Sequence, residues 1–304
     1  GSSGGGFALM VEALSLAGMI EVPVVVINVQ RPGPATGFPT RTEQADLGFM
    51  IHAGHGEFPR MVIALRDAED AFYQTARAFN IAEKYQIPVL LLSDQHLADS
   101  VTTVKPFDFT KIKIERYISG KEAVTDEEYK RYKFTEDGIS PRILPGKVPG
   151  QVVLVDSDEH DEWGHITESA EIRTKMVDKR LKKFELLKEE VQEPWFVGSN
   201  DPENLIVCWG STYGPVREAV EKLNQEGYSV GALIFGDIWP FPTGKLLELG
   251  KKAKRIIDVE QNATAQLDSL IRQEALMESA VRILKYDGRP FSGEEVYERV
   301  KEVL

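Results

Sequence analysis

Apolar runs alternate with amphipathic helical patterns over residues 204–304, and this alternation limits the possible fold more than any other feature of the chain. The runs are LIVCWGS, SVGALIFGD, RIIDVEQ and VRILKY, and a helical pattern follows each of them. Such repetition is typical of a mostly parallel sheet with helices on both faces. We therefore predict an α/β fold and a three-layer domain over 204–304.

A second α/β unit is predicted nearer the amino terminus. The runs VPVVVINV, RMVIAL and IPVLLLSD are apolar enough to form buried strands, and residues 67–86 between the last two have helical periodicity, with Asp67 as the N-cap. A strand–helix–strand unit has parallel strands and a right-handed crossover. The predicted apolar face of the helix consists of Ala68, Phe72, Ala76 and Phe79, with Ala82 at its edge.

The pattern is weaker between residues 100 and 190. We predict a surface excursion with few core contacts for GKEAVTDEEYKRYKFTEDGISPRILPGKVPG, and a short strand and a turn for QVVLVDSDEHDEWGHI. The segment DKRLKKFELLKEEV is predicted to be an exposed charged helix, and QEPWFVGSNDPEN to be a linker. These assignments divide the chain into domains 1–190 and 204–304.

Composition excludes several classes of function. The chain has 304 residues and a formal net charge of −12, which argues against nucleic acid or an anionic membrane as the main partner. No apolar run approaches the roughly 20 residues that span a bilayer. The single cysteine, Cys208, excludes an internal disulfide and an iron–sulfur cluster held by this chain alone. Cys208 lies in an apolar run, so we expect a buried, inert thiol, and a lone thiol suits a reducing cytoplasm.

The stretch NVQRPGPATGFPTRTEQADL, residues 28–47, is the main candidate site. It leaves the carboxyl end of a predicted buried strand, where ligands of open α/β sheets bind. Prolines on both sides of Gly33 hold Arg31 near the strand exit, so its guanidinium could grip a carboxylate through two hydrogen bonds. Thr36 and Thr40 add hydroxyl donors. The alternative is a surface turn with an exposed arginine; we favour the binding site.

Two further motifs leave alternatives open. The sequence GSSGGG, which contains Ser3, Gly4 and Gly5, lacks the G-x-G-x-x-G spacing. It is either a cloning scar or a native turn whose backbone N–H groups approach an anion or cofactor at a helix start. His160 and His165 flank acidic residues in DEHDEWGH; metal binding is one interpretation, but we favour a hydrogen-bonded turn and predict no metal site. The residues alone identify no catalytic group.

The motifs QRPGPATGFPTRTEQADL, GHGEFPR, LLSDQHLADS, DSDEHDEWGH and VEQNATAQL, in this order, resemble the alpha subunit of 2-oxoacid:ferredoxin oxidoreductases, particularly the 2-oxoglutarate type. The resemblance covers essentially the whole chain. It implies a pyrimidine-side thiamine diphosphate domain followed by a transketolase carboxyl-terminal-like domain. The family oxidatively decarboxylates a 2-oxoacid to an acyl-CoA and passes electrons through iron–sulfur clusters to ferredoxin.

The resemblance also implies roles and partners. Arg31 matches the family's substrate-side arginine, which orients the 2-oxoacid carboxylate, and Thr40 matches the neighbouring hydroxyl. Ser3, Gly4 and Gly5 match the turn at the cofactor. Thiamine diphosphate with magnesium would be shared with a beta subunit that carries the diphosphate-binding domain. Iron–sulfur clusters would lie only on other subunits, and gamma and ferredoxin-like subunits, ferredoxin and coenzyme A complete the expected partners of a cytoplasmic heteromer.

Two features depart from the family pattern. Neither a Tyr-Pro-Ile-Thr-Pro motif nor the glutamate that contacts the aminopyrimidine precedes Gly4. We therefore expect the chain to be truncated, cleaved or presented without its amino-terminal segment. Gly-Asp-Gly…Asn and a cysteine cluster are also absent from the sequence. Two alternatives remain: a non-catalytic assembly or regulatory subunit of the same fold, and the pyrimidine-side subunit of a lipoamide-linked 2-oxoacid dehydrogenase.

Overall fold

Strands and helices alternate along the chain in a computed structural model that describes residues 1–124 and 128–304. The strands are β1 Val24–Gln30, β2 Met61–Ala64, β3 Pro88–Asp94, β4 Trp195–Gly198, β5 Asn204–Trp209, β6 Val230–Phe235, β7 Asp237–Trp239, β8 Arg255–Glu260 and β9 Val281–Leu284. The helices are α1 Gly4–Ala8, α2 Val11–Met19, α3 Leu47–His52, α4 Ala68–Tyr85, α5 Gln95–Asp99, α6 Ala170–Glu190, α7 Tyr213–Gln225, α8 Gly244–Gly250, α9 Gln266–Ala275 and α10 Gly293–Lys301. Within the described ranges, no helix is both long and apolar enough to cross a bilayer.

The strands form two sheets. The first sheet has the order β1-β3-β2-β7, and the second has the order β4-β6-β5-β8-β9. The strand–helix–strand unit predicted near the amino terminus is confirmed, because β1 and β2 both pair parallel to β3. In the second sheet β5, β6, β8 and β9 are parallel, as the alternating pattern indicates. The predicted α/β class is therefore confirmed.

Two short strands were not predicted. β4 lies inside the segment that we assigned as a linker, and it pairs antiparallel with β6 at the edge of the second sheet. β7 follows β6 by one residue but leaves the second sheet and pairs antiparallel with β2. Both strands are short, and their pairing partners are distant in sequence, so periodicity gives little signal for them. The β7 crossing joins the two sheets.

Helix α4 begins as predicted, but a different face of it is buried. The Asp67 carboxylate accepts a hydrogen bond from the backbone N–H of Asp70 at 2.8 Å, which caps the helix. Phe79, predicted to be in the core, is 54% exposed, and Phe72 stacks on Phe107 with ring centroids 4.0 Å apart. Ala82, predicted at the edge of the apolar face, is buried, and so are Ala78, Ile81 and Tyr85, which were not predicted. The helix has two apolar faces, and the face that is rich in aliphatic residues packs against the sheet.

Removal of the Asp67 side chain tests whether this cap stabilises α4. We expect Asp67→Ala to lower the free energy of unfolding by about 1 kcal/mol, because one backbone N–H of the first turn loses its acceptor. Urea denaturation followed by circular dichroism measures the change. Glu69→Ala is the matched control, since Glu69 lies in the same turn and is exposed. Equal stability of the two variants would contradict the capping role.

The central core belongs to both sheets. It includes Val62 and Leu90 from the first sheet, Trp209 and Phe235 from the second, and Phe7 from α1, all of which are at most 1% exposed. The opposite face of the second sheet packs against α7 and α10 in a separate cluster. A shared core of this size fixes the two sheets relative to each other, because apolar interiors pack densely.

Three predictions for the middle of the chain are wrong. QVVLVDSDEHDEWGHI forms no strand, only an isolated bridge between His160 and Ile166. The excursion, part of which lies outside the described residues at 125–127, is not free of core contacts, because Tyr129 and Tyr132 are buried. Helix α6 begins before the predicted segment and buries Lys179, Arg180 and Lys183. The reason is that Glu21 pairs with the two lysines and Glu159 with the arginine, which no local pattern reveals.

Candidate functional site

The predicted loop lies at the carboxyl end of the first sheet. β1 ends at Gln30, whose side-chain amide donates to the carbonyl of Ser93 in β3 at 3.1 Å. At the far end of loop 31–42, the Thr42 hydroxyl donates to the Asp94 carboxylate at 3.3 Å. Both ends of the loop are therefore attached to the adjacent ends of two parallel strands, at the position where ligands of such sheets bind.

Loop 31–42 is folded tightly on itself. The backbone N–H of Phe38 donates to the carbonyl of Pro32 at 3.0 Å, and that of Arg41 donates to the carbonyl of Phe38 at 3.1 Å. Gly37 has φ of +53°, and a Cβ atom there would lie 2.1 Å from the Pro32 carbonyl oxygen. A glycine is therefore required at this turn.

Arg31 is partly buried, and its guanidinium makes a single long hydrogen bond. Nη1 donates to the Pro39 carbonyl at 3.5 Å, and among the described residues no carboxylate lies within ion-pair distance. Thr36 and Thr40 are exposed on the same loop. The arginine therefore keeps most of its donors available for an external anion, with two hydroxyl groups on the same loop.

The glycine-rich turn lies beside β1. The backbone N–H of Ser2 donates to the carbonyl of Ile27 at 2.9 Å, and that of Val29 donates to the carbonyl of Ser2 at 2.8 Å. Ser3 occupies the N-cap of α1, and its side chain makes no capping hydrogen bond. The segment therefore packs against the sheet as part of the fold.

The turn and the arginine loop come together. A Cβ atom on Gly4 would lie 2.3 Å from Oδ2 of Asp46, and one on Gly5 would lie 3.7 Å from the carbonyl oxygen of Ala35, which belongs to the loop. Only a glycine at position 4 leaves room for the Asp46 carboxylate. The structure thus places Gly5 next to the loop of Arg31 and Gly4 next to Asp46, although these residues are separated in sequence.

The sequence interpretation missed a polar pair at this place. The side-chain amide of Asn28 donates to Oδ2 of Asp46 at 2.9 Å, and its own carbonyl oxygen is buried without a partner among the described residues. Burial raises the pKa of Asp46, although the hydrogen bond from Asn28 lowers it. Burial and the charge of Asp46 together raise the pKa of Glu43. An asparagine inside an otherwise apolar strand was the one signal that could have indicated the pair.

The remaining candidates from the sequence are His160, His165 and Cys208. His160 is buried, with Nδ1 3.0 Å from the carbonyl oxygen of Asp158. Asp161 accepts hydrogen bonds from the backbone N–H groups of the three residues that end at His165, which is the predicted turn. Cys208 is fully buried, as predicted, and burial raises the pKa of its thiol to about 12. In residues 1–124 and 128–304, no group of three potential metal-binding side chains occurs.

Two family profiles match the chain. The family described as pyruvate flavodoxin/ferredoxin oxidoreductase, thiamine diphosphate-binding, matches residues 1–179. The family described as pyruvate:ferredoxin oxidoreductase core domain II matches residues 202–299. The two α/β parts of the chain therefore correspond to two known domain families.

Curated relatives and a solved structure agree with these profiles. The alpha subunit of 2-oxoacid:ferredoxin oxidoreductase 1 from Sulfurisphaera tokodaii is 43% identical over 100% of this chain and 48% of its own length. The 2-oxoglutarate synthase subunit KorA from Methanocaldococcus jannaschii is 33% identical over 86% of this chain and 68% of its own length. The 2-oxoglutarate:ferredoxin oxidoreductase from Magnetococcus marinus, solved with 2-oxoglutarate, coenzyme A and succinyl-CoA bound, superposes with a TM-score of 0.92 at 37% identity. That match covers 99% of this chain and 52% of the other.

The chain spans about half the length of the 2-oxoacid:ferredoxin oxidoreductase alpha subunits that it matches. The match covers the whole of this chain, including the arginine loop, the glycine-rich turn and the second sheet. The chain therefore belongs to the alpha-subunit family of the 2-oxoacid:ferredoxin oxidoreductases.

Proposed function

We propose that this chain forms the pyrimidine side and the substrate-carboxylate side of an enzyme that oxidatively decarboxylates a 2-oxoacid, of the 2-oxoglutarate type, to an acyl-CoA. Ferredoxin is the electron acceptor. The observation that carries the proposal is the meeting of the Arg31 loop and the glycine-rich turn at the carboxyl end of β1. The Magnetococcus marinus relative, whose structure contains 2-oxoglutarate and coenzyme A, supports this substrate class.

The residues at the turn fit the pyrimidine side of thiamine diphosphate. Gly4 and Gly5 have no side chains that would cover their backbone, and the first turn of α1 has backbone N–H groups without intrahelical acceptors. The buried carbonyl oxygen of Asn28 adds an acceptor that lacks a partner among the described residues. Ser3, Gly4 and Gly5 would hold this part of the cofactor. When bound, thiamine diphosphate supplies the nucleophilic carbon and the electron sink for decarboxylation.

Arg31 and the two threonines act on the substrate. A 2-oxoacid has a carboxylate next to its reacting carbonyl, and a guanidinium held at a strand end fixes the direction of that carboxylate. Thr36 and Thr40 are exposed on the same loop, and we assign them hydrogen bonds to the substrate. Orientation of a bound substrate in this way lowers the entropic part of the barrier.

Other parts of the reaction belong to other subunits. We assign the magnesium ion and the diphosphate group to a beta subunit that shares the cofactor, and the iron–sulfur clusters to further subunits, with gamma and ferredoxin-like components in the complex. The single buried thiol agrees with a reducing cytoplasm. Within this chain we propose residues 1–190 as the cofactor domain and 204–304 as the second domain.

Reconstitution tests the proposal. The assembled complex should reduce ferredoxin when given thiamine diphosphate with Mg²⁺, coenzyme A and 2-oxoglutarate, with a higher kcat/KM than for pyruvate or a branched-chain 2-oxoacid. Omission of thiamine diphosphate is the control. Acyl transfer to a lipoyl domain, with no ferredoxin reduction, would point to the lipoamide-linked enzyme. No turnover with any of the three acids would favour the non-catalytic subunit.

A further inference from the structure

Segment 44–48 links the two sheets next to the candidate site. It contains Asp46, whose carboxylate lies against Gly4 and pairs with Asn28. Asp46 also stands at the N-cap of α3, yet its side chain makes no capping hydrogen bond there. The Asp46 carboxylate bonds to Asn28 and not to the backbone at the start of its own helix. The position of segment 44–48 therefore depends on tertiary contacts.

The second half of the chain holds this segment through Gln266, the first residue of α9. Its amide nitrogen Nε2 donates to the Ala45 carbonyl at 2.7 Å, and its Oε1 accepts from the Gly48 backbone N–H at 3.0 Å. One side chain thus satisfies a backbone acceptor and a backbone donor on the two sides of Asp46. Such a double contact restricts both position and rotation of the segment.

The motif VEQNATAQL supplies two more contacts. The backbone N–H of Gln44 donates to the carbonyl of Gln261 at 2.7 Å. The side-chain amide of Asn262 donates to the carbonyl of Gln44 at 3.1 Å and to the carboxylate of Glu260 at 2.7 Å. Glu260 also accepts from the backbone N–H of Leu267 at 2.8 Å, which ties the motif to the start of α9.

The first half of the chain holds segment 44–48 from the other side. The backbone N–H of Asp46 donates to the side-chain oxygen of Gln30 at 3.0 Å, and Gln30 in turn contacts the end of β3. Segment 44–48 is therefore held between the end of β1 and the motif VEQNATAQL. A shift of either partner would move Asp46 against the glycine-rich turn.

We propose that Gln266, supported by Asn262, is a positioning residue for the thiamine diphosphate site, acting through segment 44–48 and Asp46; this inference rests on the proposed function. Gln266 touches neither Arg31 nor the glycine-rich turn in the hydrogen bonds of the structure. It acts by fixing the backbone on both sides of Asp46. The motif VEQNATAQL thereby couples the second domain to a site built from the first.

The test is Gln266→Met in the assembled complex, with Gln273→Met as the matched control. Methionine keeps the length of the side chain but removes both hydrogen bonds, whereas Gln273 lies on the same helix and is exposed. Thiamine diphosphate with Mg²⁺ is titrated calorimetrically into the cofactor-free complex. We expect the Kd to rise about tenfold in Gln266→Met, the effect of losing roughly one net hydrogen bond, and to stay unchanged in the control.

Two further readouts separate positioning from folding. A purely structural defect lowers the binding stoichiometry and the thermal midpoint but leaves the Kd of the folded fraction unchanged. We expect unchanged stoichiometry and an unchanged KM for ferredoxin. A Kd within twofold of the control overturns the inference.

A second variant, Gln266→Glu, keeps the acceptor for the Gly48 N–H but turns a carboxylate oxygen towards the Ala45 carbonyl oxygen, which is a repulsive contact. It should also raise the Kd, and if Gln266→Met does not assemble, a wild-type Kd for Gln266→Glu overturns the inference. Failure of the wild-type complex to bind thiamine diphosphate would instead overturn the proposed function and the inference together.

Discussion

Replacement of Arg31 with alanine is expected to lower kcat/KM of the assembled enzyme for its 2-oxoacid by about 10²–10³-fold, the usual cost of removing one partner of a close charge pair. The affinity for thiamine diphosphate should stay within about twofold of wild type, because Arg31 lies on loop 31–42 and not on the glycine-rich turn. Steady-state kinetics of ferredoxin reduction and calorimetric titration of the cofactor measure the two quantities separately.

Separate variants test the charge and the shape of the Arg31 side chain. Arg31→Lys keeps the positive charge but loses the planar pair of donors, so we expect an activity between alanine and wild type. Arg272→Ala is the control, because Arg272 is exposed and its ion pair within the described residues is with Glu278 at 3.4 Å. Retained turnover at an unchanged KM in Arg31→Ala would remove Arg31 from the substrate site.

The parts of the fold that the sequence predicted are those with strong local signals. β1, β2 and β3 are mostly apolar runs, and α4 combines helical periodicity with a capping aspartate at position 67. The second sheet repeats the same pattern between residues 204 and 304. In each case the period of apolar residues and the turn residues around it indicate the same element, and such agreement makes a local prediction reliable.

The wrong predictions concern contacts between distant segments. Phe79 and the aliphatic residues of α4 are equally apolar, and only the packing of the sheet decides which face is buried. β7 joins the first sheet because its partner β2 has an open edge, which the three residues of β7 do not reveal. Periodicity identifies an apolar face but not the surface that covers it.

The candidate site also contains one part that the sequence predicted and other parts that it did not. The position of Arg31 followed from the sequence, because a loop that leaves a parallel strand lies at the ligand-binding end of the sheet. The contact of Asp46 with Asn28 and Gly4 did not follow, since it joins three segments that are adjacent only after folding. Likewise, nothing local in VEQNATAQL shows that Gln266 reaches Ala45 and Gly48.

A buried charge cluster explains why α6 is not an exposed helix. Glu21 lies at the end of α2, and its side chain is 1% exposed. Oε1 of Glu21 is 2.6 Å from Nζ of Lys179, and Oε2 pairs with Lys183; both lysine side chains are at most 2% exposed. Arg131 donates to the backbone carbonyl of Glu21 at 2.6 Å. One carboxylate is therefore the shared counter-ion of two buried lysines, with a third cation, Arg131, on its backbone carbonyl.

Replacement of Glu21 with glutamine is expected to lower the free energy of unfolding by about 3–5 kcal/mol, because it leaves the charges of Lys179 and Lys183 buried without a counter-ion. Urea denaturation monitored by tryptophan fluorescence measures the loss. Lys183→Met in the same background removes one of the unpaired charges and should restore part of the stability. Glu171→Gln is the matched control, since the Glu171–Lys175 pair on the same helix as Lys179 is exposed, and it should remain close to wild type.

The dependence on pH gives an independent check of the Glu21 cluster. Burial raises the pKa of Glu21, but the attraction of Lys179, Lys183 and Arg131 outweighs burial, and the net shift is downward. A carboxyl group with a lowered pKa stabilises the fold above its unfolded pKa, near 4, and loses this contribution as the pH falls through its folded pKa. The stability gap between wild type and Glu21→Gln should therefore be largest near neutral pH and should narrow below about pH 4. A gap that is constant from pH 7 to pH 3 would mean that the loss comes from packing at Glu21, not from its charge.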